Sequence, residues 1–210
     1  VEMPIHQAAS QVSRGQEHID QLKKRFENVS SVISDLTPVF ENFKQQVPSS
    51  DSEAILNLTL ANTRARLRMT TLYYFAGLHS ALVAGTGNKI EDFGVGFFTK
   101  YGDGGVDISP IADLMKSEVR LLAQYLNVPE SIIQAKPTDG LFGDDRSDED
   151  QLGASYDELE FAMLAYKNGK TENDFVGREH EVMRIYRRLN TANQHKMNPI
   201  PVCNIPEDLK

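Results

Sequence analysis

Residues 85–116 combine closely spaced glycines with charged side chains, which suits the binding of phosphates and metal ions. Glycines let a backbone approach a ligand closely, and Mg²⁺ at bound phosphates usually takes one or two carboxylates. Glu91, the first carboxylate of the stretch, is therefore the first metal candidate, and Asp92 is the alternative. Lys100 and Lys116 can supply point charges to phosphates. The same composition is also typical of a long surface loop with solvated lysines, so both interpretations stay open at this point.

Other side chains outside this group could also contact a ligand. Asp107 can accept hydrogen bonds from hydroxyl or amide groups, and His195-Lys196 is either a ligand contact or an exposed basic pair. Arginines alternate along one predicted helix, at positions 64, 66 and 68. Because helix residues two apart point about 200° away from each other, the three arginines cannot share one face. We expect one or two of them at most to reach a ligand.

The element that must position Glu91 is a short apolar run, Ala81–Ala84. Its lack of polar alternation predicts a strand over 81–85 that is buried on both faces, as in a parallel sheet. Ligands of open α/β sheets bind beyond the carboxyl ends of the strands. A second strand is predicted over 1–5. Two strands are too few for a stable parallel sheet, so we expect the chain to be the later part of a longer α/β protein, with its first strands missing.

Helices are predicted for most of the remaining sequence, from apolar periodicity and capping residues. Ser109-Pro110 pairs a cap with a first-turn proline, and Ser155 with Glu158 makes a capping box. The predicted spans are 11–27, 37–46, 52–78, 109–127, 130–135, 156–167 and 174–192.

Residues 136–153 are predicted to be a loop, since they are dense in aspartate, glycine and serine. The acidic run 144–150 lacks the ligand spacing of a calcium loop, so we expect a mobile, solvated linker. The same composition would suit a lid that closes over a ligand.

Composition excludes several classes of function. The net charge of −8 disfavours non-specific binding to nucleic-acid phosphates. One cysteine, Cys203, rules out an internal disulfide and fits a reducing cytoplasm. No apolar run approaches the ~20 residues that a membrane span needs. We therefore expect a cytoplasmic protein without nucleic-acid or membrane partners.

Several motifs together resemble the ammonia-dependent NAD synthetase family. They are GTGNKIED, GFFTKYGDGGVDISPIADLMKSEVRLLA, KPT, DELEF and the late HK pair. The resemblance implies an adenine-nucleotide α-hydrolase-like, Rossmann-like parallel sheet flanked by helices, in one domain over 1–210 that is incomplete at its N-terminus. It also implies a homodimer, and the apolar face of the predicted helix 52–78 leads us to expect that the helices at 52–78 and 11–27 form its packing surface. The implied reaction is the ATP-dependent amidation of nicotinic acid adenine dinucleotide (deamido-NAD) with ammonia, through an adenylate, giving NAD, AMP and pyrophosphate.

The resemblance also implies roles for individual residues, although it assigns no catalytic residue. Glu91 would hold Mg²⁺, the implied cofactor. Residues implied to bind ATP, the co-substrate, are Thr86, Lys116 and Thr138. Residues implied to bind deamido-NAD are Arg66, Lys100, Asp107, His195 and Lys196.

The sequence departs from the family pattern in ways that keep alternatives open. The family's SGG-x-DS pyrophosphate loop does not occur in these residues, so we expect this chain alone not to catalyse adenylation. Asn88-Lys89 stand where alanine or histidine is common, and Glu2 stands where many members have an arginine. The alternatives are the synthetase module of a glutamine-dependent enzyme and a non-catalytic nucleotide-binding or dimerisation relative.

Overall fold

The computed structural model describes residues 1–138, 140 and 147–210. The α-helices in this part of the chain are α1 (Ala9–Arg25), α2 (Thr37–Gln46), α3 (Glu53–His79), α4 (Lys116–Tyr125), α5 (Glu130–Ile133), α6 (Asp148–Leu152), α7 (Tyr156–Lys167), α8 (Gly177–Ala192) and α9 (Gln194–Met197). A π-helix spans Ile90–Val95, and short 3₁₀ turns span Glu172–Asp174 and Glu207–Leu209. No helix among these described residues is long and apolar enough to cross a bilayer.

Most of the predicted helices are confirmed, and α2 and α7 have the predicted bounds. The helix predicted to open at Ser109-Pro110 is wrong at its start, because α4 begins only at Lys116. The carbonyl of Leu114 accepts a hydrogen bond from the Lys89 backbone N–H (2.8 Å), which takes that carbonyl out of a helical ladder. The Glu118 side chain then caps the extended residue Met115 (2.7 Å) and fixes the new start.

The acidic segment before α7 differs from the predicted solvated linker. Residues 139 and 141–146 lie outside the described part, but Asp148 to Asp150 form the first turn of α6. Ser147 caps this helix in a box with Asp150, and Asp148 is only 7% exposed. Carboxylates in the first turn of a helix are stabilised by the positive end of the helix dipole. The loop-like composition of the segment did not predict this helix.

Extended segments occur where strands were predicted, but the described residues form only isolated parallel bridges, Glu2 with Ile33 and Ala84 with Ile108. The first pairing is extended by the Ser34 N–H donating to the Glu2 carbonyl (2.8 Å). The prediction that the 81–84 run is buried on both faces is wrong, because Val83 is buried whereas Leu82 is 68% exposed. Among the residues that the structure describes, the run pairs along one side, where the Asp107 N–H donates to the Val83 carbonyl (2.9 Å).

Two apolar clusters form the core of the described residues. The smaller one joins the Val1–Ile5 segment to α2 and α3 through Ile5, Leu36, Phe40 and Leu60. The larger one packs the π-helix between α7 and α8, and its buried members include Ile90, Val95, Tyr156, Leu159, Ala162, Met163, Val182, Met183 and Tyr186. The π-helix therefore carries its charged residues on a rigid base.

Polar side chains at the end of α8 stabilise the C-terminal end of the π-helix. The amides of Asn190 and Asn193 donate to the carbonyls of Gly94 and Val95, each at 2.8 Å. Gly96 follows with a φ of +63°, and a Cβ at this position would lie 2.4 Å from the Asn193 Cβ. Only glycine satisfies both the left-handed backbone and this close approach.

We expect Gly96→Ala to lower the free energy of unfolding by about 2 kcal/mol or more, because it combines backbone strain with a steric clash. The measurement is urea denaturation followed by circular dichroism. Gly15→Ala is the control, since Gly15 lies inside α1 with no atom near an added Cβ. It should leave stability unchanged or raise it by up to about 1 kcal/mol. Equal urea midpoints of unfolding for the wild type and Gly96→Ala would contradict the conclusion that position 96 requires glycine.

Candidate active site

The Glu91 carboxylate is the centre of the most densely bonded polar cluster near the predicted site. Its Oε1 accepts from the Lys116 ammonium (2.9 Å) and from the Tyr156 hydroxyl (2.7 Å). Its Oε2 accepts a longer hydrogen bond from the Asn88 backbone N–H (3.3 Å). The side chains of Lys116 and Glu91 are 20% and 15% exposed, so the ion pair is largely withdrawn from water.

Asn88 fixes the backbone turn that places Glu91 in this position. Asn88 is 2% exposed, and its Oδ1 accepts from the backbone N–H groups of Ile90 (3.0 Å) and Glu91 (3.1 Å). It therefore caps the start of the π-helix, a rare form that occurs frequently at functional sites. Its neighbour Lys89 instead pairs outwards with Asp113 (2.6 Å). The unusual Asn88-Lys89 dipeptide thus has a structural role beside the carboxylate.

Tyr156 joins the cluster from the first turn of α7, a contact that no sequence pattern predicted. Its hydroxyl lies 3.2 Å from an Asp148 carboxylate oxygen as well as 2.7 Å from Glu91. Burial, followed by the two carboxylates, raises the pKa of Tyr156, so the phenol stays protonated and donates. The Lys116 ammonium lies 4.7 Å from the centre of the Tyr156 ring. The capping box at Ser155 predicted the start of α7, but it did not predict the contacts of Tyr156, the first residue of that helix.

Asp92, the alternative metal candidate, has a different environment. A Cβ at Gly87 would lie 2.2 Å from both Asp92 carboxylate oxygens, so this side chain lies against the Gly87 backbone. Burial, with smaller contributions from Glu91 and Asp103, raises the pKa of Asp92 to about 6. The close approach explains why glycine is needed at position 87.

A second group of predicted residues meets around Lys100, in the middle of the glycine-rich stretch. The Arg66 guanidinium donates to the Lys100 carbonyl (3.3 Å), and the Lys100 ammonium donates to the His195 carbonyl. The Lys196 ammonium instead donates to the carbonyls of Gly96 (2.8 Å) and Phe98 (2.9 Å). Burial lowers the pKa of Lys196. Arg66, Lys100 and His195 are thus brought together, and Lys196 stabilises the loop beside them.

The alternating arginines of α3 do point in different directions, as their spacing predicts. Arg64 packs over the Phe40 ring at 4.7 Å. Arg68 donates to the Met3 carbonyl (3.1 Å) and to the Gln7 side chain (2.8 Å). Arg66 is therefore the arginine of this set that faces Lys100.

The remaining predicted residues lie in separate places. Asp107 accepts from the Val83 backbone N–H (2.8 Å) and from the Tyr73 hydroxyl (3.0 Å). Thr86 is exposed just after the paired segment. Thr138 accepts from the Gly140 backbone N–H (3.2 Å). It also lines a cavity of about 1270 Å³ that Lys116 borders.

This cavity lies between the Val1–Ile5 segment, α1, α4 and α5. Its volume exceeds what a typical small-ligand site requires. Five cationic side chains line it, namely Arg14, Arg68, Lys116, Arg120 and Lys136, against three acidic ones, Glu2, Glu17 and Asp20. The excess of positive charge suits an anionic ligand.

A metal ion would find few protein ligands here. Within residues 1–138, 140 and 147–210, no group of three or more histidine, cysteine or acidic side chains could hold one. Glu91 and Asp148 nevertheless bring two carboxylates to one phenol oxygen. Oxygen donors in this number fit Mg²⁺, which completes its shell with phosphate oxygens and water. The residues present therefore fit a magnesium–nucleotide complex better than a free metal ion.

Comparison with known proteins gives the family. The family model of NAD synthase matches residues 1–200. The NH(3)-dependent NAD(+) synthetase of Mesoplasma florum is 38% identical over 180 residues, which cover 86% of this chain and 70% of the relative. That of Carboxydothermus hydrogenoformans is 37% identical over 169 residues, or 80% of this chain and 65% of the relative. The chain thus spans about two thirds of the length of these relatives.

A solved structure agrees with the sequence matches. The NMN synthetase of Francisella tularensis superposes with a TM-score of 0.79 at 28% identity, over 97% of this chain and 77% of that one. Glu91, Lys100, Lys116 and the glycines between them lie within the matched region. The chain belongs to the NAD synthase family.

Proposed function

We propose that the protein makes NAD from deamido-NAD, ATP and ammonia. The observation that carries the proposal is the Glu91–Lys116 ion pair, which is largely withdrawn from water at the edge of a cavity with more cationic than acidic side chains, in a chain whose curated relatives are ammonia-dependent synthetases. The proposal extends to the adenine-nucleotide α-hydrolase-like sheet in a single domain. The two parallel pairings at Ile33 and Ile108 support such a sheet.

ATP would bind where Lys116 and Thr138 line the cavity, with Thr86 near the end of the paired segment. Glu91 would hold Mg²⁺, which supplies positive charge to the phosphates when bound. The Lys116 ammonium is already desolvated and lies 2.9 Å from Glu91. A short movement would bring it to a phosphate oxygen, where a preorganised charge in a low dielectric is most effective.

Deamido-NAD would bind at the other cluster, where Arg66, Lys100 and His195 meet. Asp107 would accept from the substrate, and Lys196 would keep the Gly96–Phe98 backbone in place. The substrate carboxylate would attack the α-phosphate of ATP and release pyrophosphate. Ammonia would then add to the acyl carbon, lose a proton and displace AMP. Binding the remote dinucleotide would align the carboxylate for the first step.

One further candidate has an observation in its favour. The Francisella tularensis structure, which superposes over 97% of this chain, is an NMN synthetase. The same amidation chemistry would then act on the mononucleotide acid that corresponds to NMN. The two substrates differ in the adenylate half, which does not take part in the reaction.

The first experiment is NAD formation from deamido-NAD, ATP, Mg²⁺ and ammonium by the full-length protein, coupled to a dehydrogenase. We expect turnover with ammonium, and little with glutamine. Equal rates with glutamine would favour the module of a glutamine-dependent enzyme. A higher kcat/KM with the mononucleotide acid would favour the NMN reaction. No amidation of either acid would overturn the proposal in favour of a non-catalytic relative.

We expect Lys116→Met to lower kcat/KM by about 100-fold, because a preorganised charge is lost at the phosphates. Steady-state kinetics with varied ATP provide the measurement. Lys24→Met is the matched control, since Lys24 is an exposed lysine of α1. Activity within twofold of the wild type for Lys116→Met would remove Lys116 from the site.

A homodimer in the cytoplasm is part of the proposal. α3 buries only Leu60, Ala61 and Ala65 among its 27 residues. Exposed apolar side chains recur on α2 and on the start of α3, two helices that pack together. These side chains form the α2–α3 patch, which comprises Val39, Phe43, Val47, Ile55 and Leu58, each between 37% and 61% exposed. Contiguous exposed apolar patches mark protein or membrane interaction sites, ligand grooves or aggregation liabilities, and we assign this patch to a contact with a second copy of the chain.

We expect Leu58→Glu to convert the dimer into a monomer, because it places a charge in the α2–α3 patch. Light scattering coupled to size exclusion would measure the mass. Val176→Glu changes an apolar residue that is 85% exposed outside the patch, and this control should remain dimeric. A wild-type protein with the mass of one chain would contradict the proposal.

A further inference from the structure

We propose that Tyr156 and Glu160, on one face of α7, position the Glu91–Lys116 pair for the nucleotide. The inference rests on the proposed function, and it gives a role to the DELEF motif, which contains Glu160. Neither residue needs to touch substrate. Each acts through a neighbour that does.

Tyr156 fixes the carboxylate half of the pair. The phenol is 0% exposed, and its hydroxyl lies 2.7 Å from Glu91 Oε1. A hydroxyl has one proton to donate, and the shorter distance to Glu91 assigns it there. When Lys116 moves from Glu91 to a phosphate, this hydrogen bond keeps the carboxylate in place. The ring also lies 4.7 Å from the Lys116 ammonium, within cation–π range.

Glu160 fixes the lysine half of the pair through the backbone. Its Oε1 accepts from the Ser117 backbone N–H (2.9 Å), and its Oε2 accepts from the Ser117 hydroxyl (2.7 Å). Ser117 follows Lys116 at the start of α4, where helix N–H groups lack partners within the helix. The carboxylate thus clamps the turn from which Lys116 extends.

The spacing in α7 explains why one helix holds both halves. Residues four apart lie on the same face of a helix, so Tyr156 and Glu160 face the site together. Glu158 lies between them in sequence but pairs with Arg178 of α8 (2.7 Å). The Arg178 guanidinium and the capped Ser155 backbone lower the pKa of Glu158 to about 2. Glu158 therefore provides the control for Glu160, because it is an acidic residue of the same motif whose contact with Arg178 stabilises the fold.

The experiment is a pair of double-mutant cycles on the affinity for magnesium–ATP, measured by calorimetry with the full-length protein. Tyr156→Phe retains the ring and loses the hydroxyl, and Glu160→Ala loses the clamp. We expect each to raise the Kd by about tenfold, the usual cost of a hydrogen bond to a charged group. Tyr156→Phe should change the Kd less than twofold in a Glu91→Gln background. Glu160→Ala should likewise change the Kd less than twofold in a Lys116→Met background, because the effects of mutations at coupled residues are not additive.

Hydrogen exchange gives a second readout that does not depend on ATP. We expect Glu160→Ala to speed exchange of the Ser117 amide, and Glu158→Gln to leave it unchanged while lowering the melting temperature. If the wild type binds ATP, additive effects on the Kd in both cycles, or an unchanged exchange rate of the Ser117 amide in Glu160→Ala, would overturn the inference. A wild type that binds no ATP would instead overturn the proposed function, so the two failures are distinguishable.

Discussion

A carboxylate withdrawn from water is the constraint on which the rest of this site depends. Burying an ionised group without compensation costs several kcal/mol. The Glu91 charge is balanced by one ammonium and further stabilised by one phenol and one backbone N–H. Those partners come from three separate parts of the chain, at Asn88, Lys116 and Tyr156. The charge of one residue therefore determines how the π-helix, α4 and α7 meet.

The surrounding core keeps this arrangement from relaxing. The π-helix contributes Ile90 and Val95 to the larger apolar cluster, and the asparagines of α8 hold its last carbonyls. Glu91, in the first turn of this element, cannot turn toward water without breaking packing and hydrogen bonds together. In the proposed mechanism the Lys116 ammonium would exchange Glu91 for a phosphate oxygen, and the Glu91 carboxylate would then be free to hold Mg²⁺ beside the nucleotide.

The two polar clusters use different parts of one glycine-rich stretch. Glu91 and Lys116, near its two ends, are proposed to serve the phosphates, whereas Lys100, in its middle, meets Arg66 and His195. Residues 96–98 connect them, and the Lys196 ammonium holds this connection at two carbonyls. A reaction that joins a carboxylate to the α-phosphate of a second substrate requires such neighbouring sites in fixed relation.

The family resemblance, the candidates Glu91 and Lys116 and the helices with local signals could all be predicted from the sequence. α2 and α7 begin and end as predicted, because a first-turn proline in α2, the Ser155 cap of α7 and an apolar period are properties of neighbouring residues. The tertiary structure alone decided the start of α4, the burial of Asp148 and the contacts of Tyr156. Each depends on a partner that is distant in sequence, such as Lys89 for the carbonyl of Leu114 or Glu91 for the Tyr156 hydroxyl. Local patterns carry no information about such contacts, since the energy that fixes them comes from groups that only folding brings together.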